Sequence, residues 1–169
     1  MSIQQAKKTV VGRVFAWAFV IIWAMVILGF SGQDGEESGE LSRLVTQLLY
    51  RVFTGVPGDV ASPAYRTVHL LVRKAAHMTE YAILGIALET AFVQYRIQPS
   101  IRNAAAGVGC FLFALLDEWK QTLVEGRSGR LTDVFIDTAG ALLGILLFLL
   151  LLRVLARRKT EKVASSETV

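Results

Sequence analysis

The chain has a single cysteine, Cys110, among its 169 residues. One thiol cannot form an intrachain disulfide, and it has no thiol partner for a cysteine-based zinc site. Cys110 lies in the middle of an apolar run, which indicates a small packed residue rather than a reactive one. Internal repeats and low-complexity tracts are also absent from the sequence.

Hydrophobic residues make up 53% of the sequence, which is typical of one small integral membrane domain rather than a soluble globule. The formal net charge of +4 does not indicate a nucleic-acid partner, because the basic residues abut the ends of apolar runs. In that position they act as topology signals and contact anionic lipids. Lys7, Lys8 and Arg13 flank the first run, and Arg153, Arg157, Arg158, Lys159 and Lys162 follow the last.

Four apolar runs predict an all-α membrane protein, an integral four-helix bundle. The first run follows a basic start, as a signal peptide does, but its length and bulk favour an uncleaved anchor. The predicted transmembrane helices span residues 14–30, 75–95, 101–120 and 134–152, so that one transmembrane domain occupies 14–152.

The basic ends predict the orientation of the bundle. Both termini and the short turn 96–102 are basic, and only an even number of crossings puts all three on one side. The positive-inside rule makes that side cytoplasmic. Residues 1–13 then form a cytoplasmic segment, and 153–169 form a basic cytoplasmic tail that we expect to be disordered from Lys159.

The first outer loop contains an amphipathic segment, predicted as an interfacial helix over 38–53. At four turns it is too short and too polar to cross a membrane. It either lies on lipid or covers the bundle as a lid, and the pattern does not decide between them. Its apolar stripe consists of Leu41, Leu44, Val45, Leu48, Leu49, Val52 and Phe53.

Three polar stretches, 73–81, 117–121 and 132–137, fall at the same calculated depth, where each adjoins a spanning run. Glu80 and Asp137 lie about one turn deeper. Ionisable groups at this depth are costly and usually functional, so the three stretches predict one site at the outer face.

The roles that these residues can take differ. His77 could be a general base or a proton carrier tuned by Glu80, or the pair could be purely structural. Asp133 can cap its helix, while Asp137 is a turn deeper. The candidate catalytic residues are His77, Glu80, Glu118 and Asp137. The candidate ligand-binding residues are Arg73, His77, Glu118, Gln121, Arg127, Arg130, Asp133 and Asp137.

On the third predicted span, Glu118 and Gln121 share one side, and Asp117 lies about a quarter-turn away. On the fourth, the spacing of Gly140 and Gly144 is typical of close helix packing.

The Gly-rich turn 125–130 carries Arg127 and Arg130. These guanidiniums could hold a phosphate or carboxylate, or fold back to neutralise the nearby acids. The spacing of His77 and Glu80 is too common to indicate a metal, so we predict no metal and no cofactor. The only serine candidate for a nucleophile on the correct side is Ser128.

Together these residues resemble the VanZ-like family of bacterial membrane proteins, from about Phe30 to Gly144. Two positions depart from the family pattern: Lys120 replaces a frequent second histidine, and Glu125 replaces a proline that commonly precedes the Gly-Arg pair. The matching motifs are Phe30-Ser31-x-Gln33, Arg73-Lys74-x-x-His77-x-x-Glu80-Tyr81-x-x-x-Gly85, Asp117-Glu118-x-x-Gln121-x-x-x-x-Gly126-Arg127 and Asp133-x-x-x-Asp137-x-x-Gly140-Ala141.

The resemblance implies a cell-envelope protein of the bacterial cytoplasmic membrane, in a family whose founding member is associated with teicoplanin resistance. We expect the outer polar site to bind an anionic lipid or a lipid-linked envelope intermediate. The alternatives are a membrane-embedded enzyme acting on such a substrate with the His, Glu, Asp and Arg side chains, and a structural subunit of a membrane partner or homo-oligomer. No nucleic-acid partner is expected.

Overall fold

The computed structural model describes residues 3–31, 37–124 and 129–166, and the elements in this part of the chain are all helices. The predicted all-α class is therefore confirmed for the described residues. The helices are α1 (Ile3–Ser31), α2 (Glu37–Thr54), α3 (Pro63–Phe92), α4 (Pro99–Gln121) and α5 (Leu131–Ser166).

Among the described residues, three helices are long and apolar enough to cross a membrane. They are α1, α4 and α5, whose candidate spans are Thr9–Ser31, Pro99–Gln121 and Leu131–Thr160. The helix predicted as the second span, α3, is long enough at 30 residues, or about 45 Å. It is less apolar because it carries His77, Glu80 and Glu89. Length and composition thus support three of the four predicted crossings.

Helix α3 begins at Pro63, twelve residues before the predicted start at Ala75. Ser62 caps it, since the Ser62 hydroxyl accepts the Tyr65 backbone N–H at 3.2 Å, and proline suits the first helical position. The prediction of 75–95 concerned the spanning segment, and the helix itself extends beyond that segment toward the N-terminus. The additional turns, residues 63–74, provide a packing surface for α2.

Helix α2 packs on this extension through its polar side. Thr46 is fully buried, and the rings of Tyr50 and Tyr65 lie 5.5 Å apart. The amide of Gln47 exchanges two 3.0 Å hydrogen bonds with the Gly58 backbone, which fixes the turn after the helix. The apolar stripe faces away from the bundle, with Leu44 67% and Val52 69% exposed. A lid that packs through this stripe is therefore excluded.

Glycine allows α3 and α5 to pack closely. A Cβ at Gly144 would collide with the Ala82 carbonyl oxygen, and one at Gly140 would collide with the Met78 carbonyl oxygen. This geometry confirms the close packing predicted from the Gly140-x-x-x-Gly144 spacing.

Helix α5 continues to Ser166, so the expectation of disorder from Lys159 was wrong for residues up to 166. Adding residues to an existing helix avoids the cost of nucleation, and this segment contains the good helix formers Arg158, Lys159 and Lys162.

Candidate functional site

The three polar stretches predicted at one depth meet at one end of the bundle. Helix α1 runs antiparallel to α3, since the Trp23 indole donates to the Glu80 carbonyl oxygen at 2.9 Å. Its last residue, Ser31, donates to Asp117 Oδ2 of α4 at 2.8 Å. Lys74 of α3 lies 2.5 Å from Asp133 of α5. Four helices thus contribute to a single group of polar side chains.

We call its acidic members the carboxylate cluster: Glu80, Asp117, Glu118, Asp133 and Asp137. Three of them are nearly inaccessible, since Asp117 is 0%, Asp137 1% and Glu118 6% exposed. Asp137 lies close enough to the other four to be repelled by their charges. A concentration of buried carboxyl groups is costly unless cations, hydrogen bonds or a ligand stabilise it.

Asp137 is the least satisfied member of the carboxylate cluster. Its Oδ1 lies 4.0 Å from His77 Nδ1, which itself lies 3.8 Å from Glu80 Oε2. Both carboxylate oxygens of Asp137 lack a hydrogen-bond partner among the described residues. The predicted combination of His77, Glu80 and Asp137 is therefore brought together.

Asp117 lies inside the cluster, although the helical pattern placed it beside the site. It accepts hydrogen bonds from Ser31 and, at 3.4 Å, from the buried amide of Gln121. Helical spacing alone did not place Asp117 in the site, because it gives the direction of a side chain on its own helix but not which neighbouring helix that side chain meets. The contact that decides its position is the one to Ser31, which is 86 residues away in sequence.

Glu118 accepts a hydrogen bond from the backbone of the Gly-rich turn. Its Oε2 accepts the backbone N–H of Arg130 at 2.7 Å. A Cβ at the preceding Gly129 would collide with the Glu118 carbonyl oxygen, so only glycine allows this close approach. The end of the Gly-rich turn, at Gly129 and Arg130, therefore packs on α4. Arg127 and Ser128 lie outside the described residues.

The cationic side chains are more exposed than the acids. Lys74 is 32% exposed in its ion pair with Asp133, Arg73 is half-buried, and the Arg130 side chain is exposed. Among the described residues, Lys74 provides the only salt bridge from a lysine or arginine to the carboxylate cluster. The acids of the carboxylate cluster are thus mostly buried, and the cations lie nearer the surface. We call the cations Arg73, Lys74 and Arg130 the basic rim.

A family model described as VanZ/LLP1 matches residues 15–153, which is most of the chain. The chain belongs to the VanZ/LLP1 family. This confirms the resemblance drawn from the sequence motifs, and all the members of the carboxylate cluster and the basic rim lie within the matched residues. No curated protein and no solved structure matches the chain.

Lys120, where this VanZ/LLP1 protein departs from the family pattern, has a packing role. Its ammonium donates to the Leu28 carbonyl oxygen in the last turn of α1. Carbonyl groups at a helix C-terminus lack intrahelical donors and carry partial negative charge, so a lysine is favourable there. Lys120 thus ties α4 to α1 beside the Ser31–Asp117 contact.

Four residues of the site were not among the predicted site residues: Ser31, Lys74, Tyr81 and Asp117. Tyr81 is fully buried, its ring lies 6.2 Å from that of Phe113, and its hydroxyl has no hydrogen-bond partner among the described residues. The signals were present, because Tyr81 follows His77 by one helical turn and Ser31 and Lys74 lie in the matching motifs. In the described part of the chain, no group of three or more His, Cys, Asp or Glu residues could hold a metal ion.

Proposed function

We propose that this VanZ/LLP1 protein binds the headgroup of an anionic lipid or lipid-linked envelope intermediate at the carboxylate cluster. The observation that carries the proposal is the combination of unsatisfied buried acceptors with a basic rim at one end of a membrane bundle. A phosphate group would pair with the guanidinium and ammonium groups of the rim. The polar part of the headgroup would then contact the buried acids of the carboxylate cluster.

The proposal includes four membrane crossings, with both termini in the cytoplasm and the carboxylate cluster facing outward in the bacterial cytoplasmic membrane. Helix α3 can be the fourth crossing because its ionisable side chains within the predicted span are largely covered by neighbouring helices. Glu89 is buried, and His77 and Glu80 are 21% and 22% exposed, so these groups would have little contact with acyl chains. The basic turn 96–102 and the basic termini support the cytoplasmic assignment.

Helix α2 would lie on the outer lipid interface in this arrangement. Its outward stripe is continuous, and Phe53 at its end is 81% exposed. The α2–α3 segment also carries Arg43, Arg51 and Arg66, whose charge is complementary to anionic headgroups. An apolar stripe with flanking arginines favours a lipid surface close to the basic rim.

The test is lipid binding by the purified full-length protein. Native mass spectrometry in detergent would count bound phosphatidylglycerol for the wild type and for an Arg73→Ala, Arg130→Ala double variant. We expect at least a tenfold loss of affinity when two phosphate contacts are removed. Arg96→Ala, an exposed arginine near the other end of α3, is the matched control and should bind as the wild type does. Equal binding by all three proteins would refute the proposal.

Arg127 belongs in the same experiment because the Gly-rich turn that carries it could hold a phosphate. Arg127→Ala should weaken binding by a similar amount to either rim substitution. We also propose that headgroup binding underlies a glycopeptide phenotype in this family. Expression in a teicoplanin-susceptible bacterium should then raise the inhibitory concentration for the wild type but not for Arg127→Ala. An unchanged inhibitory concentration for the wild type would separate this protein from teicoplanin resistance.

A second candidate function is an enzyme that acts on a lipid-linked envelope substrate in the same site. The specific observation in its favour is that His77 Nδ1 lies within 4.0 Å of both Glu80 and Asp137 carboxylate oxygens. Such an imidazole can serve as a general acid or base. Turnover of a lipid-linked sugar phosphate, followed by chromatography, should be lost in His77→Gln while lipid binding persists. Retained turnover would exclude this function for His77.

A further inference from the structure

Two polar groups on neighbouring helices, one a hydrogen-bond donor and the other an acceptor, are buried without a hydrogen bond among the described residues. The Tyr81 hydroxyl on α3 and both carboxylate oxygens of Asp137 on α5 have no hydrogen bond among the described residues. Tyr81 is 0% and Asp137 1% exposed, and Tyr81 belongs to the same buried cluster as Val134 and Ala141, which flank Asp137 on its face of α5. Leaving such groups unsatisfied costs about 1–3 kcal/mol each, so their persistence points to a ligand that completes them.

The character of the missing partner follows from what each group needs. The Asp137 carboxyl keeps an acceptor oxygen whether it is ionised or protonated, whereas a phenol hydroxyl such as Tyr81 needs an acceptor for its proton. A phosphate oxygen could accept from Tyr81 but would be repelled by the neighbouring carboxylates of Asp117 and Glu118. An ammonium group could donate to Asp137 but could not accept from Tyr81. An alcohol hydroxyl can do both.

The cations and the acids of the site differ in exposure, and this difference suggests where each part of a ligand would bind. The cations Lys74 and Arg130 of the basic rim are the more exposed, whereas Asp117 and Asp137 are buried. A phosphate is therefore favoured at the rim, and an uncharged hydroxyl is favoured below it.

We infer that the site is specific for a polyol or sugar phosphate headgroup, whose phosphate pairs with the basic rim and whose hydroxyl bridges Tyr81 and Asp137. This inference rests on the proposed function, because it requires that a phosphate-bearing headgroup binds here. It adds the chemical class of the ligand and assigns Tyr81 as a specificity-determining residue.

The experiment compares two lipids that have the same acyl chains and the same single phosphodiester charge. Phosphatidylglycerol carries headgroup hydroxyls, and phosphatidylethanol carries none. For the purified full-length wild type in detergent, we expect phosphatidylglycerol to bind about 5–10-fold more tightly, as one or two added hydrogen bonds allow. Tyr81→Phe keeps the ring that packs near Phe113 and should abolish most of this preference, with phosphatidylethanol affinity unchanged.

A second variant guards against an indirect effect of Tyr81. Asp137→Asn should likewise reduce the preference, and the thermal unfolding temperature of each variant shows whether the bundle is intact. Soluble glycerol 3-phosphate, added as a competitor, distinguishes a free polyol phosphate from a lipid. Displacement of bound lipid at micromolar concentration would identify the free compound as a ligand of the same class.

The outcomes separate the two proposals. Equal affinity of the wild type for the two lipids would overturn the hydroxyl inference and leave lipid binding at the rim intact, with buried water then satisfying Tyr81 and Asp137. A preference that Tyr81→Phe leaves unchanged would also overturn the inference. Failure of the wild type to bind either lipid would overturn the proposed function itself.

Discussion

The two ends of the bundle both bury charged groups, but they satisfy them differently. At the end opposite the carboxylate cluster, Glu89 of α3 is 0% exposed and lies 2.8 Å from Arg102 Nε of α4. The contact is an ion pair whose N–H···O geometry is too bent for a hydrogen bond. With its amide nitrogen turned toward Glu89, Asn103 donates to Glu89 Oε1 at 3.0 Å and to Pro99 O at 2.9 Å. One buried acid there has one buried base.

Further contacts close this opposite end. Arg13 of α1 donates to the Gln94 carbonyl oxygen at 3.0 Å and lies over the ring of Tyr95, 4.5 Å from its centroid. The Trp17 indole donates to the Tyr95 hydroxyl at 3.1 Å. At the carboxylate cluster, by contrast, acids outnumber the cations that pair with them among the described residues. The Glu89–Arg102 pair therefore ties α3 to α4, whereas the carboxylate cluster is where we propose that a ligand binds.

The largest expected effect comes from breaking the balanced network. Arg102→Ala would leave Glu89 buried without its cation and should lower the free energy of unfolding by about 3–5 kcal/mol. The unfolding temperature in detergent measures this loss. A double variant, Glu89→Gln with Arg102→Met, should recover part of it, because no buried charge remains. Recovery of nothing would mean that Arg102 stabilises the protein chiefly through packing.

The next effect concerns the close contact between α3 and α5. Gly144→Val would force α5 away from the Ala82 carbonyl and should cost about 1–3 kcal/mol through overpacking. Gly107→Ala is the matched control, because its Cβ would meet only Leu142 Cδ2, at an ordinary 3.6 Å. If both variants unfold at the wild-type temperature, the close approach of α5 to α3 is not required for stability.

A smaller loss is expected at the carboxylate cluster when a stabilising partner is removed. Ser31→Ala deletes the 2.8 Å hydrogen bond to the buried Asp117 and should cost about 1–3 kcal/mol. It should also weaken lipid binding, since Asp117 then loses one of the hydrogen bonds that fix its position. Thermal unfolding and native mass spectrometry measure the two effects. Ser62→Ala, which removes a cap of α3 far from the cluster, should cost about 1 kcal/mol without changing lipid binding.

The rim should contribute to binding more than to stability. Lys74 and Asp133 are each about one-third exposed, so Lys74→Gln should cost at most about 1 kcal/mol of stability. Phosphatidylglycerol affinity should fall several-fold, because a phosphate contact is lost. Lys159→Gln, an exposed lysine beyond the opposite end, is the charge-matched control. Equal affinities of these two variants would argue against a phosphate site at the rim.

The sharpest contrast with Arg102 is a substitution with no expected stability loss. Asp137→Asn removes a buried negative charge that repels its neighbours, and the new amide can donate to a nearby carboxylate. The unfolding temperature should be unchanged or higher while lipid binding weakens, as expected for a residue kept for function at a cost in stability. A fall as large as that of Arg102→Ala would place Asp137 among the structural residues.

Sequence reasoning recovered the parts of the site that depend on distance along a helix. The rise per residue placed His77, Gln121 and Asp133 at one depth, and the structure brings their helix ends together. The stripe of α2 likewise predicted a helix over 38–53, close to the observed Glu37–Thr54. It did not predict that the stripe faces away from the bundle, because amphipathicity defines a face but not what that face contacts.

The amino-acid sequence by itself determined the helical class, the family and the shared level of the polar groups along their helices, because hydrophobic run length and helical rise are local properties. Only the tertiary structure decided that Asp117 turns toward Ser31, that the backbone of Arg130 donates to Glu118, and that Tyr81 and Asp137 are buried without a hydrogen bond among the described residues. These outcomes depend on how neighbouring helices rotate and how closely they approach. Glycines such as Gly129 and Gly144 permit that approach, but only the packed partner shows what it brings together.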